Sequence, residues 1–313
     1  MVSQIGLGTS NFGGRLEPRA AHSIIGKALD LGVTLFDTAD VYGEGLCESI
    51  LADALGERRK DVIIATKWGN IHGTGETEPG SGVRGGSRSY ILKALEQSLR
   101  RLRTDYIDLY QLHMPDPNTP IEETLRTLDS AMRQGKVRYT GVSNMPAWQI
   151  VEAQLIADQL GVQRFVSFQA RYSLLNRDIE TTTFPVADRY GLGLLPSLPL
   201  AEGLLTGKYR REGPVPDGTR LATWPRMTER SVSDANWGTM ERLRAFAEQR
   251  GRTLLELAMS WLAGRAQVSS IIAGASNPDQ LAQNAAAVGW EFTAEESSVI
   301  DRLTLGRRSG PAA

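Results

Sequence analysis

The chain has 313 residues, of which 41% are hydrophobic and 23% are charged, a balance typical of a globular protein. Its formal net charge of −1 gives no sign of a nucleic-acid or membrane surface held by bulk charge. The one cysteine, Cys47, excludes an intramolecular disulfide, and neither a signal peptide nor an apolar run of membrane-spanning length stands out. We therefore expect a cytoplasmic protein with a large core.

Eight short apolar runs recur along the chain, with amphipathic helical segments between them. In chain order the runs are QIGLG, VTLFD, VIIAT, YIDLYQL, VRYTGV, FVSFQ, LGLLP and SSIIAG. Strands that alternate with helices favour a parallel sheet covered by helices. From the count we predict one α/β domain over residues 1–313, closed as a parallel eight-stranded (β/α)8 TIM barrel. An open doubly wound sheet is the alternative.

Three helical segments carry clear local signals. Thr253 and Glu256 have the spacing of a capping box, and Asn277 followed by Pro278 predicts an N-cap and a first helical position. The segment SRSYILKALEQSLRRL repeats apolar residues at helical spacing, which predicts one buried face. Its members are Ile91, Leu95, Leu99 and Leu102.

Four polar residues follow the predicted strands. They are Asp37 and Tyr42 in FDTADVYG, Lys67 in IIATKWG and His113 in LYQLHMPD. Loops that follow the strands of a parallel barrel lie on its catalytic face. A carboxylate, a phenol, an ammonium and an imidazole together can protonate a carbonyl. Each residue also has an ordinary alternative: a capping aspartate, a packed loop tyrosine, a lysine that reaches solvent and a satisfied buried histidine.

In this order and in these contexts, the four residues resemble the catalytic tetrad of the aldo-keto reductase superfamily. The resemblance extends from IGLGT to QNAAA, nearly the whole chain. It implies an NAD(P)H-dependent enzyme that reduces aldehydes or ketones to alcohols, or runs in reverse as a sugar or alcohol dehydrogenase. Tyr42 is the implied general acid or base, and His113 orients the carbonyl. Lys67, held by Asp37, is expected to lower the pKa of Tyr42.

The resemblance also implies a nicotinamide cofactor across the barrel mouth, and its contacts can be carried over by motif. At the nicotinamide end we expect Thr9, Asp37, Ser143, Asn144 and Gln169. In the pyrophosphate loop and the loop after it we expect Leu200, Gly203, Lys208 and Arg220. In the adenosine-phosphate segment we expect Gly274, Ser276, Gln280 and Asn284. Helix capping before Pro146 is the alternative for the pair in GVSNM, and solvated loop charge is the alternative for the two cations.

The chain departs from the family pattern in three places. Ser197 stands where many relatives carry an aromatic that stacks on the nicotinamide, so stacking is weaker or comes from Tyr172. Ser276 and Gln280 stand where many relatives carry Arg or Lys, so we expect NADPH to be preferred only modestly and NADH to remain possible. Gln283 replaces a common Glu, at small cost because an amide can still accept a hydrogen bond.

The substrate side of the site is less specific. Loop position alone predicts that Asn11, Trp68, Met114 and Trp224 line a pocket for a small carbonyl or sugar. We predict no metal site, since the three histidines are far apart, and neither a nucleic acid nor a membrane as partner. The second hypothesis is a cofactor-sensing subunit that regulates a membrane channel, as some family members do. The complete tetrad favours the enzyme, and the sequence does not indicate an oligomeric state.

Overall fold

The computed structural model describes residues 2–70, 85–223 and 232–305, and in them every predicted apolar run overlaps a β-strand. The strands are β1 Ile5–Gly8, β2 Leu35–Asp37, β3 Ile63–Trp68, β4 Ile107–Leu112, β5 Val137–Ser143, β6 Ser167–Arg171, β7 Gly193–Ser197 and β8 Ile271–Ala273. All neighbouring strands pair in parallel.

The sheet closes on itself. Its order is β7-β6-β5-β4-β3-β2-β1-β8, so each strand pairs with its neighbour in sequence and β8 pairs with β1. Leu194 in β7 then donates to the carbonyl of Gln267 at 2.7 Å and accepts from the amide of Ser269 at 2.9 Å, which joins β7 to the segment before β8. The (β/α)8 barrel prediction is therefore confirmed. The open doubly wound alternative is wrong, because the strand order has no switch point.

Helices pack around the outside of the barrel. Their bounds are α1 Pro18–Asp30, α2 Leu46–Leu55, α3 Arg88–Leu102, α4 Ile121–Arg133, α5 Ala147–Leu160, α6 Ile179–Thr182, α7 Phe184–Tyr190, α8 Arg220–Thr223, α9 Asp234–Glu248, α10 Leu254–Ala263, α11 Pro278–Ala286 and α12 Ala294–Thr304.

The predicted helix signals are present in the structure. Thr253 and Glu256 form a capping box at α10, and the side chain of Asn277 accepts from the amide of Gln280 ahead of Pro278. The predicted apolar face of α3 is buried against the barrel. Cys47 is buried as well, and its thiol donates to the carbonyl of Phe12 at 2.8 Å.

The barrel interior changes from apolar to polar along the strands. A small inner core consists of Leu35, Ala65, Leu109, Leu195 and Ile272. Side chains two residues apart share one face of a strand, so the next inward position in each strand lies two residues further along. In four of the strands the residue at that position is polar. These residues are Asp37, Lys67, Gln111 and Ser197. The sequence thus builds an apolar floor and a polar rim at the carboxyl ends of the strands.

Candidate active site

A buried ion pair lies at the centre of the polar rim. The ammonium of Lys67 donates to Asp37 Oδ1 at 2.7 Å and to the carbonyl of Thr38 at 2.7 Å. Gln169 Nε2 donates to Asp37 Oδ2 at 2.9 Å from the far side of the barrel. Lys67 is wholly buried and Asp37 nearly so. Both carboxylate oxygens are therefore hydrogen-bonded, which fixes the direction of the lysine side chain.

Lys67 keeps its charge in this setting. Burial by itself lowers the pKa of a lysine, but the charges of Asp37 and Tyr42 and the hydrogen bonds to them raise the pKa of Lys67 above its ordinary value. A buried ammonium keeps its charge when its carboxylate partner is close and has all of its hydrogen bonds satisfied.

Tyr42 faces this ammonium from the turn Tyr42–Gly45, which follows β2. Lys67 Nζ lies 5.1 Å from the centroid of the Tyr42 ring. Burial raises the pKa of Tyr42, while the charge and hydrogen bond of Lys67 lower it and the charge of Asp37 raises it. The net direction is upward. Lys67 thus lowers the pKa of Tyr42 as expected, but burial outweighs the ammonium, so the pKa stays above its ordinary value.

His113 directly follows β4, and its amide donates to the carbonyl of Trp68 at 2.7 Å. Its ring meets Tyr42 edge-on, with centroids 5.7 Å apart and planes 86° apart. Burial and the nearby charge of Lys67 lower the pKa of His113 to about 3. Nδ1 is buried and has no hydrogen-bond partner among the described residues. The imidazole is therefore neutral at pH 7.

The depressed pKa of His113 predicts acid-sensitive stability. In the unfolded chain the pKa is near the ordinary value of 6.5, whereas in the folded chain it is about 3. Stabilisation is thus complete above the unfolded pKa and is lost as the pH falls toward the folded one. Between about pH 7 and about pH 5, wild type should lose about 2 kcal/mol more unfolding free energy than His113→Gln.

Denaturant unfolding of the two proteins at both pH values measures this difference. His22→Gln is the matched control, because His22 is exposed on α1 and the variant should follow wild type. Equal losses in wild type and His113→Gln would show that His113 carries no proton-linked stability.

A cavity of about 620 Å³ opens beside Tyr42 and Asp37. Most predicted cofactor contacts line it: Thr9, Asp37, Gln169, Leu200, Gly203, Lys208, Gly274, Ser276, Gln280 and Asn284. They come from β2, β6, the segments after β1, β7 and β8, and α11, which meet at one end of the barrel. A depression of about 760 Å³ near Gly161–Val166 precedes β6 and contains none of these residues.

Ser143 pairs in register with Gln169, which lines the cavity, but neither Ser143 nor Asn144 is among the lining residues. Asn144 Nδ2 donates to the carbonyl of His113 at 3.1 Å and to Ser143 Oγ at 3.0 Å. The helix-cap alternative is wrong for both, since Pro146 is the N-cap of α5 and no side-chain cap bond is present there. The amide of Asn144 instead fixes the backbone of His113.

The expectations for aromatic contacts need correction. Tyr172 is fully buried, donates to Glu180 Oε1 at 2.6 Å and packs 5.1 Å from Trp261, so it cannot stack on a ligand in the cavity. Trp68 is fully buried between the sheet and the helices and stacks on Tyr110 at 4.3 Å. Both are wrong as ligand contacts.

The other residues predicted to line a pocket have different outcomes. Asn11 and Ser197 line the cavity. Met114 is partly exposed and is not among the lining residues. Trp224 and the side chain of Arg220 lie outside the described part of the chain.

Three charged residues at the cavity, Arg15, Glu202 and Asp217, were not singled out from the sequence. Glu202 is buried, with φ of 60°, and accepts from Arg171 at 3.1 Å. Arg15 donates to the carbonyl of Gly218 at 3.2 Å. Glu202 lies between the predicted contacts Leu200 and Gly203 in the sequence, and Arg15 lies four residues after Asn11. This closeness in sequence to predicted contacts is the feature by which these two residues could have been identified.

The segment after β8 ends in the N-terminus of α11. The amide of Ser276 donates to Gln280 Oε1 at 2.9 Å, and the Asn277 side chain caps the helix. Amides at such a terminus, together with the helix dipole, favour an anion. This end of the cavity is therefore suited to a phosphate.

Sequence and structure comparisons give the same assignment. A family model described as the aldo/keto reductase family matches residues 4–304. The chain belongs to the aldo/keto reductase family. Its fold is similar to that of a glycerol dehydrogenase from Gluconobacter oxydans, with a TM-score of 0.82, 30% identity and coverage of 100% of this chain and 95% of that one. Family and fold together support assignment to the oxidoreductases.

Two plant proteins in the same family are similar in sequence. Each is described as a probable voltage-gated potassium channel subunit beta. The protein from Arabidopsis thaliana is 38% identical over 285 residues, covering 88% of this chain and 84% of its own length. The protein from Oryza sativa subsp. japonica is 36% identical over 292 residues, covering 90% and 86%. Among the described residues, no helix has the length and apolar character needed to span a membrane.

Proposed function

We propose that this aldo/keto reductase reduces aldehydes or ketones to alcohols with NADPH or NADH, reversibly. The observation that carries the proposal is the buried Lys67–Asp37 pair, set behind a tyrosine that lines a cavity of about 620 Å³. An ammonium held at 2.7 Å from its carboxylate is a preorganised charge, and such charges stabilise anions in water-poor sites.

In this proposal Tyr42 gives its proton to the carbonyl oxygen, while the carbonyl carbon accepts a hydride. The phenolate that remains is stabilised by Lys67, whose charge already lowers the pKa of Tyr42. In the oxidation direction the phenolate takes the proton back from the alcohol. His113, neutral because its pKa is about 3, orients the carbonyl by a hydrogen bond and does not compete as the acid.

The lining of the cavity fits a nicotinamide dinucleotide. When bound, that cofactor supplies the hydride, which no side chain can provide. Gln169, Ser143 and Asn144 are proposed to serve the carboxamide end. Leu200 and Gly203 are proposed to hold the pyrophosphate, and Lys208, which follows them in the same loop, is proposed to lie against the 2′-phosphate of NADPH. The segment from Gly274 to Asn284 is proposed to hold the adenosine phosphate, at the N-terminus of α11.

We predict a modest preference for NADPH that depends on Lys208. Lys208 lines the cavity, and a charged hydrogen bond to a phosphate contributes roughly 1.5–3 kcal/mol. Ser276 and Gln280 add only neutral groups, while Glu202 and Asp217 bring negative charge to the same cavity. Lys208→Met should therefore weaken NADPH binding by roughly tenfold or more and NADH binding by less, and the difference should shrink at high salt.

Dissociation constants for both cofactors at low and high salt measure this preference. Arg211→Met is the matched control. Arg211 lies in the same loop as Lys208 but pairs with Asp234 at 2.6 Å and does not line the cavity. Tighter NADH binding by wild type, or equal losses for both cofactors in Lys208→Met, would show that Lys208 does not read the 2′-phosphate.

The second candidate function is that of a nucleotide-binding regulatory subunit. It is favoured by the two plant relatives, whose descriptions name a channel subunit. A panel of aldehydes, ketones and sugars, with polyols in the reverse direction, separates the candidates when cofactor absorbance is followed. The enzyme predicts turnover of at least one compound class. Tight cofactor binding without turnover of any class would favour the regulatory subunit.

A further inference from the structure

The turn that carries Tyr42 has a backbone that the chain does not adopt readily. Within Tyr42–Gly45, Gly43 has φ of 54°, Glu44 has φ of 56° and Gly45 has φ of 90°. Three consecutive left-handed residues are unusual, and for Glu44, which has a Cβ atom, this conformation is sterically unfavourable. Such a conformation persists only when surrounding groups hold it in place.

Arg101 of α3 lies directly against this turn. A Cβ atom added at Gly45 would lie 2.8 Å from Arg101 Cδ and 2.9 Å from Arg101 Nε. The side chain therefore fills the space above Gly45, three residues after Tyr42. Arg101 is not among the residues that line the cavity.

The guanidinium of Arg101 is fixed by a buried carboxylate. Arg101 Nε donates to Glu48 Oε2 at 2.7 Å, and Thr66 Oγ1 donates to Glu48 Oε1 at 2.6 Å. Glu48 is wholly buried. Thr66 precedes Lys67 in β3, so its side chain leaves the outer face of the strand while Lys67 occupies the inner face. One chain of bonds thus joins α3, α2 and the strand that carries the ammonium.

A second carboxyl depends on the same guanidinium. The amide of Asp40 donates to the carbonyl of Lys67 at 3.1 Å, and Asp40 Oδ1 is buried without a hydrogen-bond partner among the described residues. Burial and the charge of Glu48 raise the pKa of Asp40 to about 7, and the charge of Arg101 opposes them. The charge of Arg101 thus acts on Asp40 as well as on its ion-pair partner Glu48, and Asp40 and Glu48 lie on either side of the Tyr42 turn in the chain.

We propose that Arg101 is a positioning residue for Tyr42, holding the left-handed turn through its contact with Gly45 and its ion pair with Glu48. The proposal rests on the proposed function, because it concerns the placement of the tyrosine that delivers the proton. Small displacements of a reacting group can lower a rate by as much as about a hundredfold. Arg101 acts on the rate through this placement and does not contact substrate.

Arg101→Met tests the proposal, because methionine keeps an unbranched stem and removes the guanidinium. Arg103→Met is the matched control. Arg103 Nη1, at the C-terminal end of α3, pairs with Asp53 of α2 at 2.6 Å, and both side chains are exposed. We expect Arg101→Met to lower kcat at least about tenfold, with the cofactor dissociation constant within about twofold of wild type, and Arg103→Met to change neither.

Amide hydrogen exchange supplies a readout that needs no turnover. In Arg101→Met, the amides of Gly43, Glu44 and Gly45 should exchange at least about tenfold faster, while those in α1 keep their wild-type rates. If wild type has no reductase activity, this result still supports positioning, although the proposed function then fails. Should Arg101→Met not fold, Arg101→Lys takes its place, since lysine keeps the charge and loses the fixed guanidinium geometry.

Two outcomes overturn the proposal. One is a folded Arg101→Met protein with kcat and turn exchange rates within about twofold of wild type. The other is faster exchange throughout the barrel with kcat, cofactor affinity and melting temperature falling together, which indicates a general structural role. Loss of kcat with local exchange at the turn supports positioning of Tyr42.

Discussion

Tyr42→Phe should lower kcat at least about a hundredfold, the scale of proton transfer by one side chain, and leave the fold and the cofactor affinity near wild type. The variant removes one hydroxyl from a ring that lines the cavity and lies 5.1 Å from Lys67 Nζ. Phenylalanine fills the same volume, so the edge-on contact with His113 can remain. Steady-state kinetics with saturating cofactor measures kcat, and a melting curve shows whether the fold is retained.

Tyr139→Phe is the control for this experiment. Tyr139 lies in β5, is 56% exposed and is not a cavity residue, so loss of its hydroxyl should leave kcat unchanged. Near-normal kcat for Tyr42→Phe, with the chemical step shown to be rate-limiting, would remove Tyr42 from the proposed mechanism.

Lys67→Met should reduce kcat by roughly a hundredfold or more, as removal of one preorganised electrostatic group does in other enzymes. It should also shift the pH dependence of alcohol oxidation. Lys67 lowers the pKa of Tyr42, so its loss raises that pKa further. Alcohol oxidation needs the Tyr42 phenolate. The pH range over which the oxidation rate rises should therefore move to higher pH. The measurement is the pH–rate profile of wild type and variant.

A double variant separates chemistry from folding. Lys67→Met leaves the Asp37 carboxylate buried with only its other hydrogen bonds, and breaking a buried pair in this way costs about 3–5 kcal/mol. Lys67→Met combined with Asp37→Asn removes both charges and should recover much of that stability without recovering kcat. An unchanged oxidation profile in Lys67→Met would rule out electrostatic tuning of Tyr42 by Lys67.

The sequence predicted the barrel because its eight apolar runs alternate with amphipathic helices, and this pattern leaves few ways to bury both faces of a sheet. It also predicted that polar residues follow the strands. Asp37 ends β2, Lys67 is the penultimate residue of β3 and His113 directly follows β4. Parallel strands in a barrel bring such positions to one end, so the assembly of the site follows from the fold.

Two wrong aromatic contacts could have been avoided with strand alternation. Successive side chains of a strand point to opposite faces. Lys67 points inward, so Trp68 must point toward the helices, where it stacks on Tyr110. Gln169 points inward as well, so Tyr172, three residues on, lies on the outer side against Trp261. The alternation of side chains along a strand can be read from the sequence. It predicts which way a side chain points better than closeness to a catalytic motif does.

Other features depend on distances that no sequence pattern contains. The upward pKa of Tyr42 results from burial against an ammonium and a carboxylate, two opposing effects whose balance depends on the fold. The burial of Glu202 beside Arg171, and the contact of Arg101 with Gly45, join segments far apart in the chain. Sequence reasoning identified neither arginine.

The most direct test of the account follows the hydride itself. Wild-type protein is incubated with a carbonyl compound that it turns over and with reduced nicotinamide cofactor carrying deuterium at the transferred position. If the protein is a reductase, the deuterium appears on the carbinol carbon of the alcohol, and Tyr42→Phe forms the same labelled product at least about a hundredfold more slowly. Cofactor that binds tightly and keeps its deuterium with every carbonyl tested would contradict the assignment as a reductase.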